Sequence, residues 1–276
     1  MGQDRSSEAD QPELIVDRQL KAKREAENTL RQFDFSMSEL RDWLSTGTYR
    51  LKPSTVLKLN RYALDGLSNY AGVFRPAGVK ISGSGHTPVS AAEVPAAVEE
   101  FCEYVHENWN SKSALHLAAY ALWRLNWIHP FVDGNGRTAR AVSYLILCAR
   151  LGTRLPGKVT IPEQIALNKS PYYKALEDAD THYRVGKNIN VQAMETMLDA
   201  QLASQLLSVH EDATGNSYNL TSDAAESTRA ERLADSTDVS EKQSLGIIRS
   251  IENHPVIAGG IILLIVTIIG ALLTRQ

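Results

Sequence analysis

Residues 113–128, SALHLAAYALWRLNWI, set the first limit on the fold. Leu115, Ala118, Ala119, Leu122 and Leu125 return at the spacing of one helical face, so the segment is expected to form a central, largely buried helix. A helix of that kind needs other helices around it. Its neighbours supply them: VPAAVEEFCEYVHENW before it and TARAVSYLILCARLG after it read as helices, and Gly152 stands where a helix C-cap would. Residues 12–33 mix helix formers with dense charge, residues 36–70 hold two further helical patterns broken by GTYRLKPS, and the helical pattern continues over residues 171–208. The expected class is all-α. One exception is AGVFRPAGVKISGSGHTPVSAAEVP, where Val79 and Ile81 flank Lys80 and Gly83, Ser84 and Gly85 supply a turn, which predicts a small β-hairpin.

Composition narrows the function. The 276 residues carry 29 basic and 32 acidic side chains, a net charge of -3, which offers no polyanion-binding field and makes DNA or RNA a poor partner. Cys102 and Cys148 lie in apolar helical surroundings without metal spacing and are expected to be buried free thiols.

The chemistry concentrates in IHPFVDGNGRTAR, residues 128–140. Pro130 cannot continue a helix and disfavours helical backbone in the residue before it, which puts His129 at the mouth of a loop. Gly134 and Gly136 allow φ > 0 and leave backbone N–H groups open just where a new helix begins, so donors and helix dipole converge in an anion nest. Arg137 and Arg140, three apart in the first turn, offer fork-shaped donors to phosphates in a place where arginine is unfavourable without an anion. Asp133 beside the nest is suited to Mg²⁺ bridging those phosphates. His129 can take a proton from an incoming hydroxyl near neutral pH. These are the parts of a nucleotidyl or phosphoryl transfer site.

HPFVDGNGRTAR resembles the signature of the Fic family, His-Pro-Phe-x-Asp/Glu-Gly-Asn-Gly-Arg-x-x-Arg, at every specified position. The likeness runs from about residue 40 to residue 200, taking in the flap-like segment upstream and SPYYKALEDAD downstream. It implies a Fic-type helical domain that transfers AMP from ATP to a Ser, Thr or Tyr hydroxyl of a protein, with Mg²⁺ and release of pyrophosphate. On that reading His129 is the general base and Phe131 anchors the loop. Asp133 holds Mg²⁺, Gly134, Asn135 and Gly136 cradle phosphates, and Arg137 and Arg140 bind the outer ones. Val79, Lys80, Ile81, Ser82 and Gly83 form the flap that clamps the target by strand addition, and His86 is expected to be a surface residue. The kept Gly-Asn-Gly favours adenylylation over the kinase-like Doc branch. Transfer of another nucleotidyl or phosphate-bearing group, and a silent nucleotide-sensing module, remain the alternatives. The family's inhibitory Ser/Thr-x-x-x-Glu-Gly/Asn motif is not found; the closest strings hold Glu226 and Glu231, and a separate inhibitory partner protein is the expected substitute.

The expected organisation is a tail and charged helix over residues 1–35, the catalytic domain over 36–208, a polar linker over 209–255 and a transmembrane helix over 256–274. That last run, VIAGGIILLIVTIIGALLT, is about 19 residues without a charge, long enough for a hydrocarbon core of about 30 Å. With no basic start plus apolar run in residues 1–20, a single-pass C-terminal anchor with the domain facing the cytoplasm is expected.

Overall fold

A computed structural model describes residues 5, 7, 8 and 14–214. These form eight helices, α1 (Arg18–Thr46), α2 (Pro53–Leu64), α3 (Val94–Glu107), α4 (Ala114–Ile128), α5 (Asn135–Arg150), α6 (Ile161–Leu167), α7 (Ser170–Gly186) and α8 (Gln192–Thr214), and two short strands, β1 (Ser7–Glu8) and β2 (Lys80–Ile81). The all-α expectation holds for them. The residues read as linker and membrane helix lie outside the described part. Among the described residues no helix is long and apolar enough to cross a membrane.

The described residues divide into two compact units, one running up to residue 154 and taking in 165–198, the other of residues 155–164 with 199–214. The first holds the motif. At its centre α4 packs against α3, α5 and α7, and twelve of its fifteen residues are buried, as a helix apolar on most faces requires. Ser113 caps its start by accepting from the His116 N–H at 3.0 Å. Two polar groups tie it to its neighbours: Trp123 Nε1 donates to Asp180 of α7 at 2.9 Å, and the Ala118 carbonyl accepts from Ser143 of α5 at 2.8 Å. Cys102 and Cys148 are buried thiols outside any disulfide, and burial pushes the Cys102 thiol up to about 12, so it is inert.

Helix α1 runs unbroken through residue 35, from its cap at Asp17, which accepts from Gln19 and Leu20 N–H groups at 2.9 Å, to Gly47 at φ 65°. It packs on α2 and α5, with Asn28, Gln32, Ser36, Met37, Leu40 and Trp43 on its buried side. The helix is therefore part of the helical core's wall from Asn28 onward, while none of residues 18–27 is buried. In the second unit Gln205 ties the segment before α6: its side chain donates to the Pro156 carbonyl at 3.0 Å and accepts from the Ile161 N–H at 2.9 Å.

The expected hairpin does not form. Residues 80 and 81 make one strand, Ser84 N–H returns to the Ile81 carbonyl at 3.3 Å, and the limb from Ser84 to Ser90 has no strand partner among the described residues. Gly85 and Pro88 in that limb are poor strand formers, one for its entropy and one for its missing N–H. The strand pairs instead with β1, antiparallel, Ser7 opposite Ile81 and Glu8 opposite Lys80.

Candidate active site

His129 is the C-cap of α4. Its backbone lies in the left-handed region, φ 52° and ψ 60°, while its N–H still donates to the Leu125 carbonyl at 2.9 Å. A non-glycine residue held there is uncommon and needs support from outside its own helix. Arg75 supplies it. This guanidinium is 2% exposed, and its Nε donates to the His129 carbonyl at 2.8 Å while the Arg75 N–H donates to the Pro130 carbonyl at 3.0 Å. Its other nitrogens donate to the carbonyls of Ala77, at 2.9 Å, and Val89, the two roots of the flap. One buried side chain thus fixes His129 and the flap together.

The loop beyond Pro130 is held from inside. Phe131, 1% exposed, sits 5.9 Å from the Phe74 ring. Asn135 Oδ1 accepts from the Phe131 N–H, and Asn135 Nδ2 donates to the Phe131 carbonyl, both at 2.9 Å. Its side chain therefore closes the loop, which leaves its backbone N–H for an anion. Gly134 has φ 75°, and a Cβ there would meet Asn60 Nδ2 at 3.0 Å and Leu64 Cγ at 3.2 Å, so conformation and space both require glycine. Asn60, fully buried on α2, donates to the Asp133 carbonyl at 3.0 Å and to Thr138 Oγ1 at 3.3 Å, and accepts from the Gly72 N–H at 3.0 Å. Helix α5 then starts at Asn135, with Arg137 and Arg140 in its first turns.

Arg137 donates to Asp133 Oδ2 at 3.0 Å and lies 3.6 Å from Glu25 of α1. Asp133 Oδ1 accepts from the Gly134 N–H at 2.6 Å. The Asp133 side chain is 47% exposed and each anionic oxygen keeps a free lone pair, which suits a magnesium ion taking one carboxylate plus phosphate oxygens. Among the described residues there is no cluster of three acids, histidines or cysteines that would form an all-protein metal cage. Arg140 pairs with no carboxylate among the described residues, and burial lowers its pKa, with the Tyr172 and Tyr173 rings beside it on α7. A half-buried guanidinium at a helix start is suited to an anionic ligand.

His129 is 6% exposed. Burial pushes its pKa down to about 4, opposed in part by the backbone at Asn126, with Arg75 adding to the lowering. The imidazole is neutral at pH 7 and ready to accept a proton. Its Nε2 lies 2.8 Å from the hydroxyl of Ser7. His86, expected at the surface, is half-buried: its Nε2 lies 2.7 Å from the Trp127 carbonyl and its ring faces Trp127, tying the far limb of the flap to α4.

The flap residues divide by exposure. Lys80 and Gly83 are exposed, Val79 and Ser82 half-buried, and Ile81 is 7% exposed. Sequence reasoning named these and every motif residue; it missed Asn60, Arg75, Glu25 and Ser7. Arg75 carries one local signal, a lone charge in an otherwise uncharged stretch, AGVFRPAGV.

With this geometry in view, comparison with known proteins is specific. The Fic/DOC family model matches residues 50–147, the stretch that contains α2, the flap, α4, the loop and most of α5. Residues 50–147 of this chain are a Fic/DOC domain. The protein adenylyltransferase Fic of Drosophila persimilis is 33% identical over 127 residues, which span 45% of this chain and 23% of that one. The protein of the same name from Drosophila mojavensis is 34% identical over 127 residues, 45% of this chain and 24% of its own. The chain thus spans less than a quarter of these curated relatives. Among solved structures, a Fic domain-containing signalling protein from Bacteroides thetaiotaomicron superposes with a TM-score of 0.60 at 23% identity, over 74% of this chain and 78% of that chain. Fic-1 of C. elegans does so with a TM-score of 0.55 at 23% identity, over 73% and 55%. At such identities the structures establish the Fic fold alone.

Proposed function

We propose that this Fic domain is a protein adenylyltransferase, moving AMP from ATP to a hydroxyl side chain of a protein strand laid along β2. The observation that carries the reading is the neutral, buried His129 whose Nε2 faces a hydroxyl on a strand paired with the flap, 2.8 Å away. In the reaction His129 takes the proton of the acceptor hydroxyl, the acceptor oxygen forms a bond to the α-phosphorus, and the bond from that phosphorus to the bridging oxygen breaks as pyrophosphate leaves. The N–H groups at the start of α5, with Arg137 and Arg140, hold the β- and γ-phosphates. Asp133 would hold Mg²⁺, which neutralises charge on the phosphates. Arg75 and Asn60 keep base and loop in register. The adenylyltransferase names of the Drosophila relatives support the same reading.

Incubation of the protein with α-labelled ATP, Mg²⁺ and a lysate tests it. Label should enter proteins with intact His129 and be absent with His129→Ala, which still binds ATP because the cradle is untouched. Equal label from the variant would remove His129 as base, and a panel of labelled nucleoside triphosphates identifies the nucleotide. Residues 256–274 would tether the domain to a membrane facing the cytoplasm, an expectation that flotation of the full chain with and without that run decides.

A further inference from the structure

The strand on the flap belongs to the chain itself. Ser7 sits opposite Ile81 in β1 against β2, and its hydroxyl lies 2.8 Å from His129 Nε2. Asn135 Nδ2 donates to the same hydroxyl from 3.3 Å. A hydroxyl has a single O–H, so with Asn135 on a lone pair the remaining contact directs that proton at Nε2, in the tautomer that carries its hydrogen on Nδ1. Two residues earlier Arg5 fixes the strand's entry. Its N–H donates to the Tyr173 hydroxyl at 3.2 Å, its guanidinium lies 4.7 Å from the centre of the Tyr173 ring, and it pairs with Glu177. Arg5's side chain is only 11% exposed despite its place near the N-terminus. Backbone pairing, a guanidinium clamp and an aimed hydroxyl are three independent features, and together they place one serine as an acceptor strand would place it.

We infer that Ser7 is a modification site: the enzyme transfers a nucleoside monophosphate to its own Ser7 in cis. This rests on the transferase reading above. The Ser7 oxygen forms the bond to the α-phosphorus of the bound nucleoside triphosphate, its proton passes to His129 Nε2, and pyrophosphate leaves with the electrons of the broken bond. The product carries a bulky anion on β1 beside the base, so the modified strand no longer fits as it did and β2 is vacated for an incoming target.

The full chain incubated with Mg²⁺ and each of the four nucleoside triphosphates, followed by intact mass and peptide mapping of residues 6–18, reads the reaction directly. The expected result is a single nucleoside monophosphate on Ser7, at a fractional rate that does not change over a tenfold range of protein concentration. It should be lost in Ser7→Ala and His129→Ala and kept in Ser7→Thr. Label on Ser6 alone, label at an equal level in Ser7→Ala, or a rate that rises in proportion to concentration overturns the inference. A parallel lysate arm separates the two readings. His129-dependent label on lysate proteins with none on Ser7 overturns the cis reaction and leaves the transferase standing, whereas no label on either overturns both.

Discussion

At the scale of single residues the site depends on a few atoms held in unfavourable places. His129 is the sharpest case, a left-handed backbone and a buried ring maintained by Arg75 from behind. Because burial depresses its pKa to about 4, the imidazole stays unprotonated through mild acid. The acidic limb of kcat/KM should therefore fall well below the 6.5 of a free imidazole, and a limb centred at 6.5 in a pH-rate profile would contradict the buried, neutral state. Arg75→Lys replaces a fork that serves three carbonyls with one point donor. It should lower kcat on the order of 10- to 100-fold through misplacement of the base while ATP affinity stays within a few-fold, a split that kinetics and calorimetry together resolve. Gly134→Ala should cost about 1–2 kcal/mol of stability from the left-handed backbone alone, more with the close approach to Asn60 and Leu64, as urea unfolding would measure. The motif's backbone was legible in sequence because its causes are local: a proline ends a helix, Gly134 turns the loop with a positive φ, and two arginines crowd a helix start, although Gly136, also expected to allow φ > 0, lies within α5. Arg75 and Asn60 were not, since nothing along the chain announces that a lone arginine 54 residues from His129 will be buried against it.

Among elements, α4 was legible and the flap was not. An apolar helix has one solution, burial among other helices, and α4 found it. Two alternating residues before a glycine turn admit several partners, and the pairing went to a strand more than seventy positions away because the return limb, with Gly85 and Pro88, offers little to pair with. Helix α1 shows the same limit. Its dense charge marks no buried face, yet from Asn28 onward one face is buried on α2 and α5, and Glu25 reaches Arg137. At 3.6 Å and half exposed the pair is weak, worth about 0.2–1 kcal/mol. Glu25→Gln should accordingly raise affinity for ATP by no more than about fivefold, measured by titration calorimetry, and a drop in affinity would mean that Glu25 supports the nucleotide site instead of competing with it.

For the molecule as a whole, buried neutral His129 links folding to pH. Its folded-state pKa lies below its unfolded value, so the unfolded chain takes up the proton first on acidification. Stability is complete above about pH 6.5 and declines as the pH falls toward about 4. His129→Phe should flatten that decline in thermal melts across this window. Pairing of β1 with β2 also has a consequence for how any external target reaches the enzyme. An acceptor carried on the same chain meets the flap at an effective concentration on the order of millimolar, and a free protein at micromolar level starts about a thousandfold behind. On the proposed function, targets that arrive before Ser7 is modified enter a contest with a resident competitor, won by those that bring additional contacts of their own.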